Sequence, residues 1–194
     1  MRERSDVVRN RQAILDAATR LYQEGGEPSG ITMDDIAYAA GVGKGTVFRR
    51  FGDQAGLLRA VFDTQIKALT EAIQSGPPPL GPSAPARQRI TALLIAIIDF
   101  KIDNRRLARA LEDVEQRPGT GRFFETPNYL WAHALLSDLL TEIVGAEASG
   151  FCAHALLSLT RADLIEHLID TEKYTRTRLH RRIIDYAFKA MVIS

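Results

Sequence analysis

Lys44, Thr46, Arg49 and Arg50 lie within seven residues of one another, and no acid interrupts them. Lysine and arginine neutralise phosphates, and an arginine fork can also reach the acceptor edge of guanine. The stretch that precedes them, DDIAYAAGVG at 34–43, is apolar and ends in two glycines, Gly41 and Gly43. The net charge is only +1, so any electrostatic footprint for an acidic partner must be local. Catalytic groupings are weaker. Cys152 and His154 are two residues apart, which on a helix turns them to nearly opposite sides and denies a nucleophile–base pair. The histidines at 133, 154, 167 and 180 form no i, i+4 pair and have no cysteine partner. No catalytic residue, no metal site and no cofactor is expected, and the chain is not read as an enzyme.

Helices must position these residues, since β-branched alternation bounded by turns is absent. A first helix is predicted over about 7–24, with Ile14, Ala18 and Leu21 on one side. EGGEPSG at 24–30 stops it. Thr32 can cap a short helix over 33–40, with Asp35 as the reciprocal acid. Gly41 can end that helix in a left-handed conformation, and a basic helix follows over 44–51. This is a helix-turn-helix pattern, in which the second helix lies in the major groove of a duplex. Asp53 can cap a fourth helix, whose stripe Leu58, Phe62, Ile66, Leu69 and Ile73 faces a core. The proline-rich segment SGPPPLGPSAPA at 75–86 reads as a surface loop. Further helices are predicted over about 86–103, 105–115, 127–144 (Thr126 the cap, Pro127 its first residue), 148–170 and 176–192, the last capped by Thr175, with a loop at 116–122. The expectation is an all-α chain of about nine helices, with a helix-turn-helix domain over 1–52 and a larger helical domain over 53–194.

Other classes are set aside on composition. One cysteine in 194 residues rules out an internal disulfide framework and fits a reducing cytoplasm. The N-terminal arginines are followed by no apolar h-region, and no apolar run approaches a membrane span, so a cytoplasmic protein with no membrane partner is expected.

The stretch 14–58 resembles the N-terminal domain of the tetracycline-repressor (TetR) family of bacterial transcription regulators. Ile14, Leu15, Ala17, Ala18, Leu21, Thr32, Ile36, Ala37, Ala40, Gly41, Val42, Gly45, Thr46, Val47, Phe51 and Leu58 carry the resemblance. It implies an Ω-shaped homodimer that binds a pseudo-palindromic operator as a ligand-responsive repressor. Thr32 and Met33 would meet phosphate at the start of the second helix. Lys44, Gly45, Thr46, Val47 and Phe48 would face bases or nearby phosphates, and Arg49 and Arg50 would reach backbone or guanine. Two positions depart from the family pattern. Phe48 stands where a tyrosine is usual, and Gln54–Ala55 where lysine and glutamate are usual, which removes two phosphate anchors. Arg2, Arg4, Arg9 and Arg11 are candidates to replace them.

The resemblance also implies an unidentified small-molecule effector bound in the larger domain. Phe100, Phe123, Phe124, Tyr129, Trp131, Leu135, Cys152 and Leu156 are its candidate apolar lining, with Asp99, Lys101, Asn104, His133 and His154 as polar contacts. Dimerisation would use the last two helices, through Leu157, Leu164, Ile165, Leu168, Ile183, Ile184, Ala187 and Met191, with Arg161, Glu166, Arg181 and Asp185 at the rim. The rival reading is a helical small-molecule-binding protein or enzyme that keeps a non-functional DNA-binding module.

Overall fold

The computed structural model describes residues 2–24, 30–115 and 123–192, and the side chains of 7–24, 30–115 and 124–189. The breaker after Glu24, the loop at 116–122 and the side chains of Arg2, Arg4, Phe123 and Met191 therefore lie outside the described residues. Among them there are ten α-helices and no strand. The order is α1 (Arg2–Glu24), α2 (Met33–Ala39), α3 (Lys44–Phe51), α4 (Gln54–Ser75), α5 (Ala86–Asp103), α6 (Arg105–Glu115), α7 (Pro127–Val144), α8 (Ala146–Ser158), α9 (Ala162–Glu166) and α10 (Arg176–Val192).

Most boundaries follow the local signals. Asp53 Oδ1 accepts from the Gly56 amide at 2.7 Å, and Thr175 Oγ1 accepts from the Arg178 amide at 3.2 Å, so both caps form. Helix α1 starts about five residues earlier than predicted, because RERSD contains no helix breaker. The single helix expected over 148–170 is in fact two. Thr160 turns its hydroxyl back to the Leu157 carbonyl (2.8 Å), and Arg161 adopts an extended backbone with its guanidinium on Asp163 (2.7 Å). A side chain that satisfies a nearby carbonyl competes with the next helical turn. After α9 the chain continues as a π turn, His167–Thr171.

The chain forms two compact units. The first gathers residues 1–66 and 106–120. Its core includes Ile14, Leu15, Ala18, Ile36, Val47, Leu57, Leu58 and Val61, all fully buried or nearly so. Within it Arg59 Nε donates to Glu115, whose carboxylate is 5% exposed. The second unit gathers 67–105 and 121–194. Its main core joins Ile90, Leu93 and Leu94 of α5 with Leu136 and Leu140 of α7 and Leu156 of α8. The proline-rich loop is tied to this unit. Arg89 donates to the carbonyls of Leu80 (2.9 Å) and Ile73 (2.8 Å).

The seam residues divide. Leu157, Ile165, Ile183 and Ala187 are buried in their own unit, so they are not available to a second copy. Leu164, Leu168 and Ile184 are half-buried. Phe151 on α8, at 78%, and Tyr186 on α10, at 58%, are the large side chains these helices leave exposed.

Candidate nucleic-acid interface

The start of α2 is fixed by a reciprocal cap. The Asp35 amide donates to Thr32 Oγ1 (3.2 Å), while Asp35 Oδ2 accepts from the Thr32 amide (2.9 Å) and hydroxyl (2.6 Å). These donors hold the Asp35 carboxyl below its ordinary pKa. The helix ends at Gly41, whose φ of +66° is costly for any residue with a Cβ. The Val42 amide closes the turn on the Ala37 carbonyl at 3.0 Å. Gly43 is ordinary backbone at φ −68°, so the reorientation expected of two glycines rests on Gly41. Gly56 answers a different need. A Cβ there would lie 2.1 Å from the Phe51 carbonyl oxygen, so the turn from α3 into α4 leaves no room for one.

Helix α3 sorts its side chains by side. Val47 is 0% exposed and packs inside, which takes it out of the expected contact set: a side chain sealed in the core cannot face bases. The Met33 side chain is 7% exposed, so a contact from this residue falls to its backbone amide at the start of α2. Lys44, Gly45, Phe48 and Arg49 are exposed, while Thr46 and Arg50 are half-buried, the latter with Nε turned out of solvent. No acid lies in the first turn of α3, and Arg49 and Arg50 lie in its last. A Cβ on Gly45 would touch nothing within 4 Å, so nothing within the described fold demands glycine there.

Two features of this side were not legible as roles in the sequence. Lys44 Nζ lies 2.8 Å from Asp34 Oδ2, across the turn on α2, and 5.8 Å from the centre of the Phe48 ring. Tyr38 is 91% exposed, one turn beyond Asp34 on the same side of α2. The spacing of 34 and 38 was the available signal. Gln54, where the family usually has a lysine, is engaged within the fold. Its Nε2 donates to the Ile31 carbonyl (2.8 Å) and the Tyr22 hydroxyl (3.2 Å), bracing α4 against α1, and Ala55 beside it is in the core. At the other end of α3, Arg11 sits 5.8 Å over the Phe51 ring.

Residues 14–61 match the family model for bacterial regulatory proteins of the tetR family. By this segment, about a quarter of the chain, the protein is similar to the TetR family. Similar proteins include an HTH-type transcriptional regulator of Staphylococcus aureus, 32% identical over 116 residues that cover 56% of this chain and 57% of that one. The HTH-type transcriptional regulator YhgD of Bacillus subtilis is 32% identical over 94 residues, covering 48% of this chain and 47% of its own. The chain thus spans about half the length of the curated relatives it matches. Among solved structures, a TetR-family regulator of Rhodococcus superposes with TM-score 0.63 at 21% identity, over 94% of this chain and 98% of that one. NalD of Pseudomonas aeruginosa, described as the secondary repressor of the MexAB-OprM multidrug efflux pump, does so with TM-score 0.61 at 21% identity, over 95% and 96%. These superpositions establish a shared all-α fold.

In the second unit, the candidate effector residues separate into groups. Phe124, Tyr129 and His133 meet His154 of α8. The Phe124 and Tyr129 rings are edge to face at 5.2 Å, and the two imidazole centres are 4.0 Å apart. Tyr129 Oη and His154 Nδ1 lie 2.5 Å apart, and His133 Nε2 donates to the Gly150 carbonyl at 3.0 Å. Burial raises the Tyr129 pKa; partial desolvation, then neighbouring His133, lowers that of His154. The phenol and the His154 ring thus share one hydrogen bond. Phe124 is 57% exposed, so this cluster opens to solvent. Trp131, Leu135 and Cys152 pack half-buried against the main core, and Leu156 is within it. Asn104 turns to the Phe100 carbonyl at 3.0 Å, capping its own helix. Asp99 lies 2.9 Å from His180 and 3.4 Å from Arg176, which is also paired with Asp103. Among the described residues no group of three His, Cys, Asp or Glu side chains could hold a metal ion, and no helix is long and apolar enough to cross a membrane.

Proposed function

We propose that this chain is a DNA-binding transcriptional regulator, a ligand-responsive repressor that binds a pseudo-palindromic operator as a homodimer. One observation carries the reading. Helix α3 seals Val47 inside and turns Lys44, Phe48 and Arg49 outward, on a face whose α3 residues include no acid. A basic helix of that build fits the major groove, with lysine and arginine on phosphate or guanine. Thr32, Thr46 and the half-buried Arg50 flank it, and the exposed Gly45 leaves the backbone open to close approach. Phe48 brings no hydroxyl; the Tyr38 hydroxyl, on the neighbouring side of α2, is free to point at the duplex backbone. The names of the S. aureus and B. subtilis relatives support a regulator, and the NalD description supports repression.

The domain assignment goes with this reading: 1–52 for DNA, 53–194 for ligand and dimer. The aromatic lining around Tyr129 and the half-buried Trp131, Leu135 and Cys152 suits an apolar or aromatic effector, bound between helices. Effector would favour the state that does not hold the operator, a coupling of about 1–3 kcal/mol. In the homodimer, Phe151 and Tyr186 supply the exposed apolar contact that Leu157 and Ile183 cannot.

Duplex binding titrated against salt is the test. Neutralising about six phosphates gives a log–log slope near −5. A slope near zero would favour the small-molecule carrier with an idle DNA-binding module. Sedimentation of the wild type and of Phe151→Asp tests the dimer, and a wild-type monomer at working concentration would remove that part of the reading.

A further inference from the structure

Resting on the DNA-binding reading above, we propose that Asp34 is a built-in competitor for the phosphate that Lys44 would bind, and so limits the affinity of this chain for any duplex. The two adjacent acids at the start of α2 have different employment. Asp35 is spent on the backbone cap, with Thr32 amide and hydroxyl both on one oxygen. Asp34 reaches across the turn instead and takes Lys44 Nζ at 2.8 Å. Both side chains of that pair are more than half exposed, at 57% and 60%. The pair is therefore open to exchange with an anion from solution and is not a device of the core.

Its position gives the exchange a consequence. Lys44 is the first residue of α3, and its ammonium also rests near the Phe48 ring. Asp34 thus holds the first cation of the exposed basic face back against the protein's own surface. A duplex phosphate must displace the carboxylate to take Lys44, and the displaced carboxylate then stands beside the phosphate as a like charge. Both effects oppose binding, and neither depends on base sequence. Lys44 then contributes less than Arg49, whose guanidinium is exposed on the same face. Weakening the sequence-blind part of binding while leaving base contacts alone raises the ratio of specific to non-specific affinity.

The experiment uses the full chain and a short mixed-sequence duplex, with Kd measured over a salt series. Asp34→Asn keeps the size and removes the charge. It is expected to bind about two- to fivefold tighter at low salt, the scale of an exposed ion pair. Its salt slope should steepen by about one, as Lys44 becomes free to release a counterion. Asp16→Asn, at an exposed position on α1, makes the same change in net charge away from α3 and is expected to gain less. In a Lys44→Ala background the Asp34→Asn gain should shrink to that of Asp16→Asn. Asp34→Glu should restore wild-type behaviour. Thermal melting reads out any loss of the α2 helix separately. An equal gain from Asp16→Asn, or a gain that survives Lys44→Ala, overturns the competitor role while leaving the DNA-binding reading in place. A wild type that binds no duplex at low salt overturns both.

Discussion

The α2–α3 segment and the α7–α8 hairpin are both helical pairs, and they are organised by different means. In α2–α3 each role is set within a few residues. Thr32 and Asp35 cap one another, Gly41 turns the chain, and Val47 goes inside while Lys44 and Arg49 stay out. In α7–α8 the working contacts join residues far apart. Tyr129 reaches His154 across 25 positions, and His133 reaches Gly150 across 17. The first region is a surface displayed by local rules, the second a cluster assembled by tertiary packing. Perturbation should therefore act on the first through caps, core and charge, and on the second through proton state.

The largest effect is expected where the displayed surface meets its core. Ile36 is 0% exposed, and Ile36→Ala should cost about 2–5 kcal/mol of stability, measured by urea unfolding followed by circular dichroism. Duplex binding should be lost with it. A variant of unchanged stability would mean that α2 is not held by its apolar side. Next in size is Arg49→Ala. Its removal should weaken duplex binding about tenfold and make the salt slope shallower by about one, with the melting temperature unchanged. A loss confined to one sequence would instead make Arg49 a base reader. Thr32→Ala should follow at about 1 kcal/mol, the ordinary worth of a helix N-cap. It would show up as earlier melting, and no change would demote the capping box to decoration.

The same contrast explains what the sequence disclosed. The all-α class, the helix-turn-helix, the Asp53 and Thr175 caps and the turn at Gly41 all rest on signals local enough to read along the chain. Misassignments came where one residue had two candidate employments. Val47 satisfied both the core spacing and the recognition-helix spacing, and only burial decides between them. Gln54 also lacks a lysine's reach to phosphate, but its bonds to Ile31 and Tyr22, 23 and 32 residues away, are a role that local spacing does not reveal. The break at 159–161 escaped because nothing there is a strong breaker; a threonine hydroxyl and an arginine–aspartate pair end the helix together. The Asp34–Lys44 pair spans a turn whose geometry periodicity does not supply.

The smallest expected effect tests the second region by its proton state. His154 is exposed overall, and partial desolvation, then His133, holds it below the ordinary histidine pKa. Above about pH 6.5 the imidazole is neutral in both folded and unfolded chains, so it adds no pH dependence there. As pH falls through that value, the unfolded chain takes up a proton that the folded hairpin resists. Stability then declines, and it levels off once the pH is below the folded-state value. Protonation would also leave Nδ1 able only to donate to the Tyr129 hydroxyl. His154→Gln keeps an acceptor for the phenol and removes the titration. Its melting temperature should therefore fall less between neutral and mildly acidic solution than that of the wild type. Parallel declines in the two proteins would show that the cluster's rings pack together without their proton state contributing to the fold.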